Sequence, residues 1–224
     1  MKLRKTMKKK IICSAAAAAM CLFSFGYIAE CAAEDAAAPA AQAAEEQFKD
    51  GEDYFTINAE KTAQPEIKEF FSPYCSHCMA FEDITARLRK DEPKAAFVRS
   101  PVAFMGGDMA AEMQKAVAVA QQLDVTDKFV SLAFDQIQKQ RQEPKSHNDV
   151  VKMFEYIGVK AEDFEKAYGG FSTPGMVSNY NTDFDRTGAD GVPCFVINGK
   201  YRINNAKLKS YEDLKKIADY LLAK

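Results

Sequence analysis

A C-x-x-C motif, Cys75-Ser76-His77-Cys78, is the feature of this 224-residue chain that most constrains its fold. It directly follows the strand-like run Glu66–Phe71 and begins a run that is typical of a helix. Two cysteines three positions apart lie on one face of a helix, close enough for the short Cα separation that a disulfide requires. Because such a pair can open and close with little backbone movement, we predict a redox-active disulfide rather than a structural crosslink.

The position of Cys75 predicts an acidic thiol. At the first position of a helix, this sulfur would lie near unpaired backbone N–H groups and the positive end of the helix dipole. Both favour a thiolate, and His77 can add a charge or a hydrogen-bond donor beside it. Because a stabilised thiolate stabilises the reduced protein, the disulfide becomes a better oxidant. We therefore predict a disulfide that is handed on to other thiols.

The first 33 residues have the composition of a secretory signal peptide. A basic opening is followed by a largely apolar stretch over residues 11–29. We expect cleavage after Ala33, although the apolar stretch is nearly long enough to serve as an uncleaved membrane anchor. Residues 34–48 are rich in alanine and low in complexity, which predicts a disordered tether.

Charge and cysteine content exclude several classes of protein. The first 33 residues hold six of the 30 Lys/Arg and one of the 32 Asp/Glu, so the remainder carries 24 basic and 31 acidic groups, a net charge of about −7. Nothing in this balance favours nucleic acid or an anionic membrane as a partner. The cysteines divide into three within the predicted signal peptide and three beyond it: Cys13, Cys21 and Cys31, then Cys75, Cys78 and Cys194. An odd number that includes one C-x-x-C pair excludes a scaffold of several disulfides.

The apolar pattern predicts a β-β-α-β opening, a block of helices, and a closing hairpin with a last helix. The predicted strands are residues 54–58, 66–71, 95–100, 194–197 and 200–203. The predicted helices are residues 75–90, 108–123, 126–141, 146–157, 161–168, 176–186 and 210–224. Ser146 with Asp149 and Ser210 with Asp213 resemble helix caps, and Asn198-Gly199 is typical of a hairpin turn. Together these predict a single sheet with a helical domain inserted in its middle.

Three segments together resemble the DsbA family of bacterial periplasmic disulfide oxidases. In chain order they read EFFSPYCSHCMAFE over residues 69–82, FMGGD over 104–108, and GVPCFVINGKY over 191–201. The resemblance implies an α/β thioredoxin fold with an inserted α-helical domain, divided as 49–104, 105–188 for the insertion, and 189–224. It also implies a periplasmic protein dithiol:disulfide oxidoreductase that oxidises unfolded exported proteins with free cysteines. A membrane oxidase of the DsbB type would reoxidise it.

The resemblance assigns roles around the disulfide. Cys75 is expected to be the exposed nucleophile, Cys78 the resolving thiol, and Val192-Pro193 a cis-proline loop facing them. A cis bond is largely confined to X-Pro, and a proline that starts a strand costs no ladder hydrogen bond that matters. Such a loop leaves the Val192 backbone free to pair with an extended substrate segment. The alternative is an ordinary trans proline, which we would favour if the C-x-x-C motif were absent.

Three further positions are expected to tune the thiols. Glu69 matches a family carboxylate below the disulfide, and Arg99 on the next strand falls where its basic partner would be. The pair would tune thiol chemistry and relay protons; the alternative is a strand-end ion pair with no catalytic role. Ser76 stands where the best-known family members have proline, at a main control on redox poise. With His77 retained, an oxidant is still expected.

The remaining candidates are apolar or lie apart from the motif. Four side chains are assigned either to an apolar substrate groove or to the core: Phe71, Tyr74, Met79 and Phe104. Cys194 is expected to pack as a small buried residue, with a mixed disulfide as the alternative. His147, beside a predicted helix cap, is expected at the surface.

Other functions use the same residues differently. A reductase or isomerase would hold the two cysteines reduced, but isomerases of this kind usually add a dimerisation domain, and the tether is too short to be one. We expect a monomer. A metal-binding module would use Cys75, Cys78, His77 and Cys194, which is a poor zinc set without a second cysteine pair, so we expect neither metal nor cofactor. A holdase chaperone would bind unfolded chains without needing Cys75.

Overall fold

The computed structural model of the protein describes residues 47–224. The predicted signal peptide and the predicted tether up to residue 46 lie outside the described residues, and so do the three cysteines at positions 13, 21 and 31. Within residues 47–224, no helix is both long and apolar enough to cross a membrane.

One mixed sheet of five strands organises the fold. The strands are β1 (Tyr54–Thr56), β2 (Glu66–Phe71), β3 (Ala96–Pro101), β4 (Cys194–Ile197) and β5 (Tyr201–Ile203). Their order in the sheet is β1-β5-β4-β2-β3. The pair β2 and β3 is parallel and the other neighbours are antiparallel. The crossover between the two parallel strands carries the C-x-x-C motif.

Eight α-helices complete the described part of the chain. They are α1 (Ser76–Ala80), α2 (Glu82–Asp91), α3 (Ala110–Gln122), α4 (Thr126–Phe134), α5 (His147–Tyr156), α6 (Ala161–Tyr168), α7 (Ser172–Thr187) and α8 (Tyr211–Ala223). Single 3₁₀ turns occur at Gly107–Met109 and Asn205–Lys207. Helices α3 to α7 all lie between β3 and β4 in the sequence, so the fold is a thioredoxin fold with a helical insertion, as predicted.

Three predicted helices differ from the observed ones. The helix predicted over residues 75–90 is two helices, because the Phe81 N–H bonds the carbonyls of both His77 and Cys78 at 3.1 Å and tightens the turn between them. The helix predicted over residues 126–141 becomes a π-helix at Asp135–Lys139 and stops where Arg141 has a φ of 58°. The helix predicted over residues 176–186 begins earlier, at Ser172, with Pro174 tolerated in its first turn.

The predicted caps and the predicted hairpin turn are confirmed. The Ser146 and Ser210 hydroxyls each accept a hydrogen bond at 3.2 Å, from the N–H of the residue three positions on. Asn198 and Gly199 both have positive φ, 51° and 66°, as a two-residue hairpin turn with the right twist requires. The Asn198 side chain also donates to the Leu221 carbonyl at 3.0 Å, which ties the turn to α8.

The edge of the sheet beside the insertion is covered by α3. The Gln114 amide donates to the Pro101 carbonyl at 2.9 Å, and the Gln121 amide donates to the Arg99 carbonyl at 2.5 Å. Outward-facing carbonyls of β3 are thereby paired with side chains one helix away, where a free edge would recruit other strands. The helical insertion is thus fixed to the strand that carries Arg99.

Candidate active site

The sequence predicted that Cys75 is the first residue of a helix. In the structure Cys75 is instead the N-cap of α1, one position before the first helical residue. Its backbone is extended, with φ −89° and ψ 113°, and its Sγ accepts a hydrogen bond from the Cys78 N–H at 3.1 Å. A cap position lets a side-chain acceptor reach a first-turn N–H that has no partner within the helix. The expectation of an exposed nucleophile is wrong in this structure, since only 3% of the Cys75 surface is accessible. The cis-proline loop covers it.

That loop faces the thiol directly. The Val192–Pro193 bond is cis, as predicted. The Val192 carbonyl oxygen lies 3.4 Å from the Cys75 Sγ, where a protonated Cys75 can donate to it. The Asn205 amide donates to the Pro193 carbonyl at 2.6 Å and holds the loop from the other side.

The two thiols differ strongly in acidity. A hydrogen bond from the Cys78 side chain lowers the pKa of Cys75 to about 6, helped by the backbone N–H groups of Cys78 and His77 and by the charge of His77, against the effect of burial. The pKa of Cys78 is raised because its thiol bonds Cys75 and because it is buried. Both cysteines are free thiols here. In the reduced protein, the negative charge therefore lies on Cys75 and the shared proton on Cys78.

A buried ion pair lies in the strands that lead to the thiols. Glu69 and Arg99 are opposite each other on β2 and β3, and the Arg99 Nε lies 3.2 Å from the Glu69 Oε2. Neither residue is more than 5% exposed. Burial raises the pKa of Glu69 to about 7 against the opposing charge of Arg99, so this carboxyl titrates near neutral pH. The predicted contact is confirmed, and its catalytic role stays a prediction.

Glu82 completes this site and was missed from the sequence. Its two carboxylate oxygens accept hydrogen bonds from both terminal nitrogens of Arg99, at 3.1 and 2.5 Å. The guanidinium also lies over the Phe71 ring, 4.3 Å from its centroid. Glu82 begins α2, four residues after Cys78, so its position in the quoted motif was the available signal. One arginine is thus shared between a fully buried and a half-buried carboxylate.

The predicted groove residues separate into core and surface. Phe71 is fully buried and belongs to the core, whereas 55% of Phe104 is exposed. Met79 and Tyr74 are half-buried. A Cβ at Gly106, which has a φ of 110°, would lie 2.3 Å from the Tyr74 ring, so only glycine allows the two to meet. Of the residues between the cysteines, Ser76 and His77 are both exposed.

Cys194 and His147 lie away from the thiols. Cys194 is 4% exposed and packs with Phe70 and Val196, and burial raises its pKa to about 11, as suits a small core residue. His147 is half-buried between two carboxylates rather than fully at the surface, because helices α3 and α6 pack on either side of it. Among residues 47–224, no group of three or more His, Cys, Asp or Glu side chains is placed to hold a metal ion.

A thiolate and a thiol at the start of a helix, facing a cis-proline loop on a thioredoxin-type sheet, define a thiol:disulfide oxidoreductase. Comparison with known proteins narrows the class. The family described as DSBA-like thioredoxin domain matches residues 66–217, and the chain belongs to that family.

Two relatives of this chain carry the name thiol:disulfide interchange protein DsbA. The thiol:disulfide interchange protein DsbA of Escherichia coli K12 is 33% identical over 162 residues, 70% of this chain and 77% of that protein. The Salmonella typhi protein of that name is 35% identical over the same coverage. A solved structure of Proteus mirabilis DsbA with a non-covalently bound peptide is 30% identical and superposes with a TM-score of 0.71, over 79% of this chain and 99% of that chain. The predicted fold class and oxidoreductase class are confirmed.

Proposed function

We propose that this protein donates its Cys75–Cys78 disulfide to unfolded exported proteins that carry free cysteines. A substrate thiolate attacks the Cys75 Sγ, the Cys75–Cys78 bond breaks, and Cys78 leaves and takes up a proton, which its raised pKa favours. A second substrate thiolate then attacks the substrate sulfur of the mixed disulfide and expels Cys75 as a thiolate. Two electrons pass from the substrate to the protein, and the substrate leaves oxidised.

The observation that carries the proposal is the acidity of Cys75. A thiol whose pKa is lowered to about 6 stabilises the reduced form above that pH. A lowered pKa contributes stability that is fully present above the unfolded-state value near 9 and is lost as the pH falls through 6. At pH 7 the contribution to the reduced form is on the order of 1 kcal/mol. A disulfide whose reduced form is stabilised is a stronger oxidant.

Substrate recognition is assigned to the cis-proline loop and its neighbours. The Val192 carbonyl beside Cys75 and the half-buried Tyr74 flank the position where a substrate segment must lie. A backbone edge recognises an extended chain without demanding a sequence. Pro193 shapes the loop, and Ser76 and His77 tune the thiols from the solvent side. The peptide-bound Proteus mirabilis relative supports a site for peptides.

Glu69 and Arg99 are proposed to tune the proton of Cys78. The charge of Glu69 contributes to the raised pKa of Cys78, so the two groups sense each other. A carboxyl whose pKa is about 7 can exchange a proton near neutral pH. The alternative is an ion pair that only fixes β2 to β3. If Glu69 relays protons, Glu69→Gln will slow the formation of the mixed disulfide, the step in which Cys78 leaves and is protonated, while leaving the fold intact.

The setting of the reaction is proposed from the family. We place the protein in the periplasm after removal of residues 1–33, as a monomer reoxidised by a membrane oxidase of the DsbB type. The sheet regions 49–104 and 189–224 are proposed as one domain and 105–188 as the inserted one.

Glutathione exchange tests the direction of the reaction. A disulfide far more oxidising than the glutathione couple is the expected result, and a thioredoxin-like potential would favour the reductase alternative.

Variants of the cysteines separate catalysis from binding. Cys75→Ser should abolish dithiol oxidation, because no mixed disulfide can form, whereas a holdase would keep its activity.

Cys78→Ala should raise the pKa of Cys75 more than His77→Ala does, since the Cys78 side chain is the largest cause of the lowered value. The pH dependence of alkylation by iodoacetamide measures the pKa of Cys75 in both variants. Cys194→Ser is the matched control and should leave the oxidation rate unchanged.

A further inference from the structure

Two backbone loops flank the Cys75 sulfur, and a side-chain amide from another element is bonded to each of them. The Gln138 amide donates to the Pro73 carbonyl at 2.9 Å, two residues before Cys75. The Asn205 amide donates to the Pro193 carbonyl at 2.6 Å, on the loop that faces Cys75. We call Gln138 and Asn205 the amide pair. Each loop is therefore held by a residue that lies outside it.

Gln138 reaches its loop from the irregular part of the helical insertion. It lies in the π-helix at Asp135–Lys139, where the Gln140 N–H bonds the Asp135 carbonyl at 2.9 Å, five residues earlier. This spacing changes the direction of the side chains from that of a continued α-helix. Segments of this kind are rare and frequently occur at functional sites. The π-helix is thus part of how the insertion reaches the loop before Cys75.

Asn205 lies on a turn that is itself anchored. It begins the 3₁₀ turn Asn205–Lys207, directly after Asn204. The Asn204 N–H donates to the Asp53 carbonyl at 2.9 Å, and its side-chain amide donates to the Glu52 carbonyl at 2.7 Å. The turn is thereby fixed to the segment before β1. A donor on a fixed turn holds its acceptor in one place, whereas a donor on a mobile segment would move with it.

The Cys75 sulfur lies between the two loops that the amide pair holds. On one side, the Cys75 N–H bonds the Ser72 carbonyl at 3.0 Å, so Pro73 and Cys75 belong to one tight turn. On the other side, the Val192 carbonyl oxygen lies 3.4 Å from the Cys75 Sγ. The result is a sulfur that is 3% exposed. A shift of either loop would uncover the sulfur and move the Val192 carbonyl away from it.

We propose that Gln138 and Asn205 are positioning residues for disulfide exchange, which together set how closely the cis-proline loop covers the Cys75 sulfur. The proposal rests on the proposed function, because it concerns how a substrate reaches the same sulfur. Neither side chain acts on the reacting atoms. Their hydrogen bonds hold the backbone edge of the loop in place, so an extended substrate does not have to order it on binding. The same closure keeps small reagents away from the reduced thiolate.

The first test measures access to the sulfur with a reagent too small to need the loop. Gln138→Met and Asn205→Leu each remove an amide donor while nearly keeping the size of the side chain. Alkylation of Cys75 by iodoacetamide in the reduced full chain is followed at pH 8 by mass spectrometry of its peptides. Cys75 is a thiolate at this pH, so the rate reports access. It should rise about two- to tenfold in each variant, the factor expected from one lost hydrogen bond.

The second test measures the reaction that needs the loop. Oxidation of an extended dithiol peptide by the disulfide form of the full chain is followed by rapid acid quench. Its second-order rate constant should fall about two- to tenfold in each variant, because a loop that is no longer held must be ordered when the peptide binds. The pKa of Cys75 should also fall below about 6, because burial opposes its ionisation in the wild type.

Gln122→Met is the matched control for the amide pair. Its amide donates to the Thr173 hydroxyl at 2.8 Å and joins α3 to α7 within the insertion. The variant therefore loses a hydrogen bond from the same kind of group without touching either loop. It should lose a similar amount of stability in urea and keep the wild-type rates of alkylation and of peptide oxidation.

The outcomes separate this proposal from the proposed function. Faster alkylation with slower peptide oxidation, in both variants of the amide pair and not in the control, is the expected result. Equal falls in both rates would reflect a general loss of structure, and wild-type rates in either variant would show that its amide does not position the loop. Each of these two results overturns the proposal and leaves disulfide donation standing. If the wild-type chain does not oxidise the peptide, donation fails, and unchanged alkylation in the variants would then overturn the positioning role separately.

Discussion

Two ionisable clusters lie in different parts of the molecule and can be compared directly. In the sheet, Glu69 is fully buried and ion-paired to Arg99. In the helical insertion, the His147 ring is 39% exposed and lies within 2.6 Å of Glu112 and 2.9 Å of Glu165. Both clusters raise the pKa of their central group. Burial is the main cause at Glu69, and hydrogen-bonded carboxylates are the main cause at His147.

Because the causes differ, the same upward pKa shift has opposite consequences for stability at Glu69 and at His147. For Glu69, the pKa is raised because burial disfavours the charged carboxylate. The ionised form therefore lowers stability near neutral pH, and the carboxyl keeps a proton that is available for transfer. For His147, the raised pKa records attraction to the charged form, so the site contributes stability when protonated. A raised pKa therefore marks a candidate for proton transfer in the sheet and a crosslink between helices in the insertion.

The largest effect should follow from removing the shared cation of the sheet cluster. Arg99→Leu leaves Glu69 and Glu82 without their partner, and stranding a buried charge costs about 3 to 5 kcal/mol. The loss, measured by urea unfolding, should be smaller at pH 5 than at pH 8, because Glu69 is protonated at the lower pH. Arg89→Leu is the control. It breaks a more exposed pair with Asp127 and should cost no more than about 1 kcal/mol.

A smaller and pH-dependent effect is expected from Glu69→Gln. With a pKa near 7 in the folded protein against 4.5 unfolded, Glu69 contributes stability below pH 4.5 that is lost as the pH rises to 7. The substitution should flatten that fall, which amounts to at most about 3 kcal/mol. Unfolding free energies at pH 4.5, 6 and 7.5 measure it. A variant with the wild-type slope would show that another group is responsible.

The smallest effect is expected in the helical insertion. His147→Gln should destabilise the protein by less than about 1 kcal/mol at pH 5, because the pair is partly exposed and screened. The contribution is present below the unfolded pKa of 6.5 and is lost as the pH rises through the higher folded value, so at pH 9 the variant should match the wild type. High salt should shrink the difference at pH 5. An equal loss at both pH values would indicate packing against Phe164 and Tyr168 instead.

Much of the fold could be predicted because its signals are local. The capping serines, the Asn198-Gly199 turn and the apolar alternation act within a few residues, and each was found where the sequence placed it. The pairing of Glu69 with Arg99 was predicted only through the resemblance to the DsbA family, and the parallel register of β2 and β3 that brings the two residues side by side appears in the structure. The break at Phe81 was not predicted, since residues 75–90 have one continuous helical pattern and the tightened turn appears only in the fold.

The sequence by itself determined the chemistry: a C-x-x-C pair after a strand and before a helix, with a proline loop downstream. Only the tertiary structure decided how that chemistry is tuned. The attachment of Glu82 to Arg99, the covering of β3 by two glutamines and the bridge at His147 all join residues from separate elements. Such contacts depend on how helices pack on the sheet, and burial and charge act only once that packing exists.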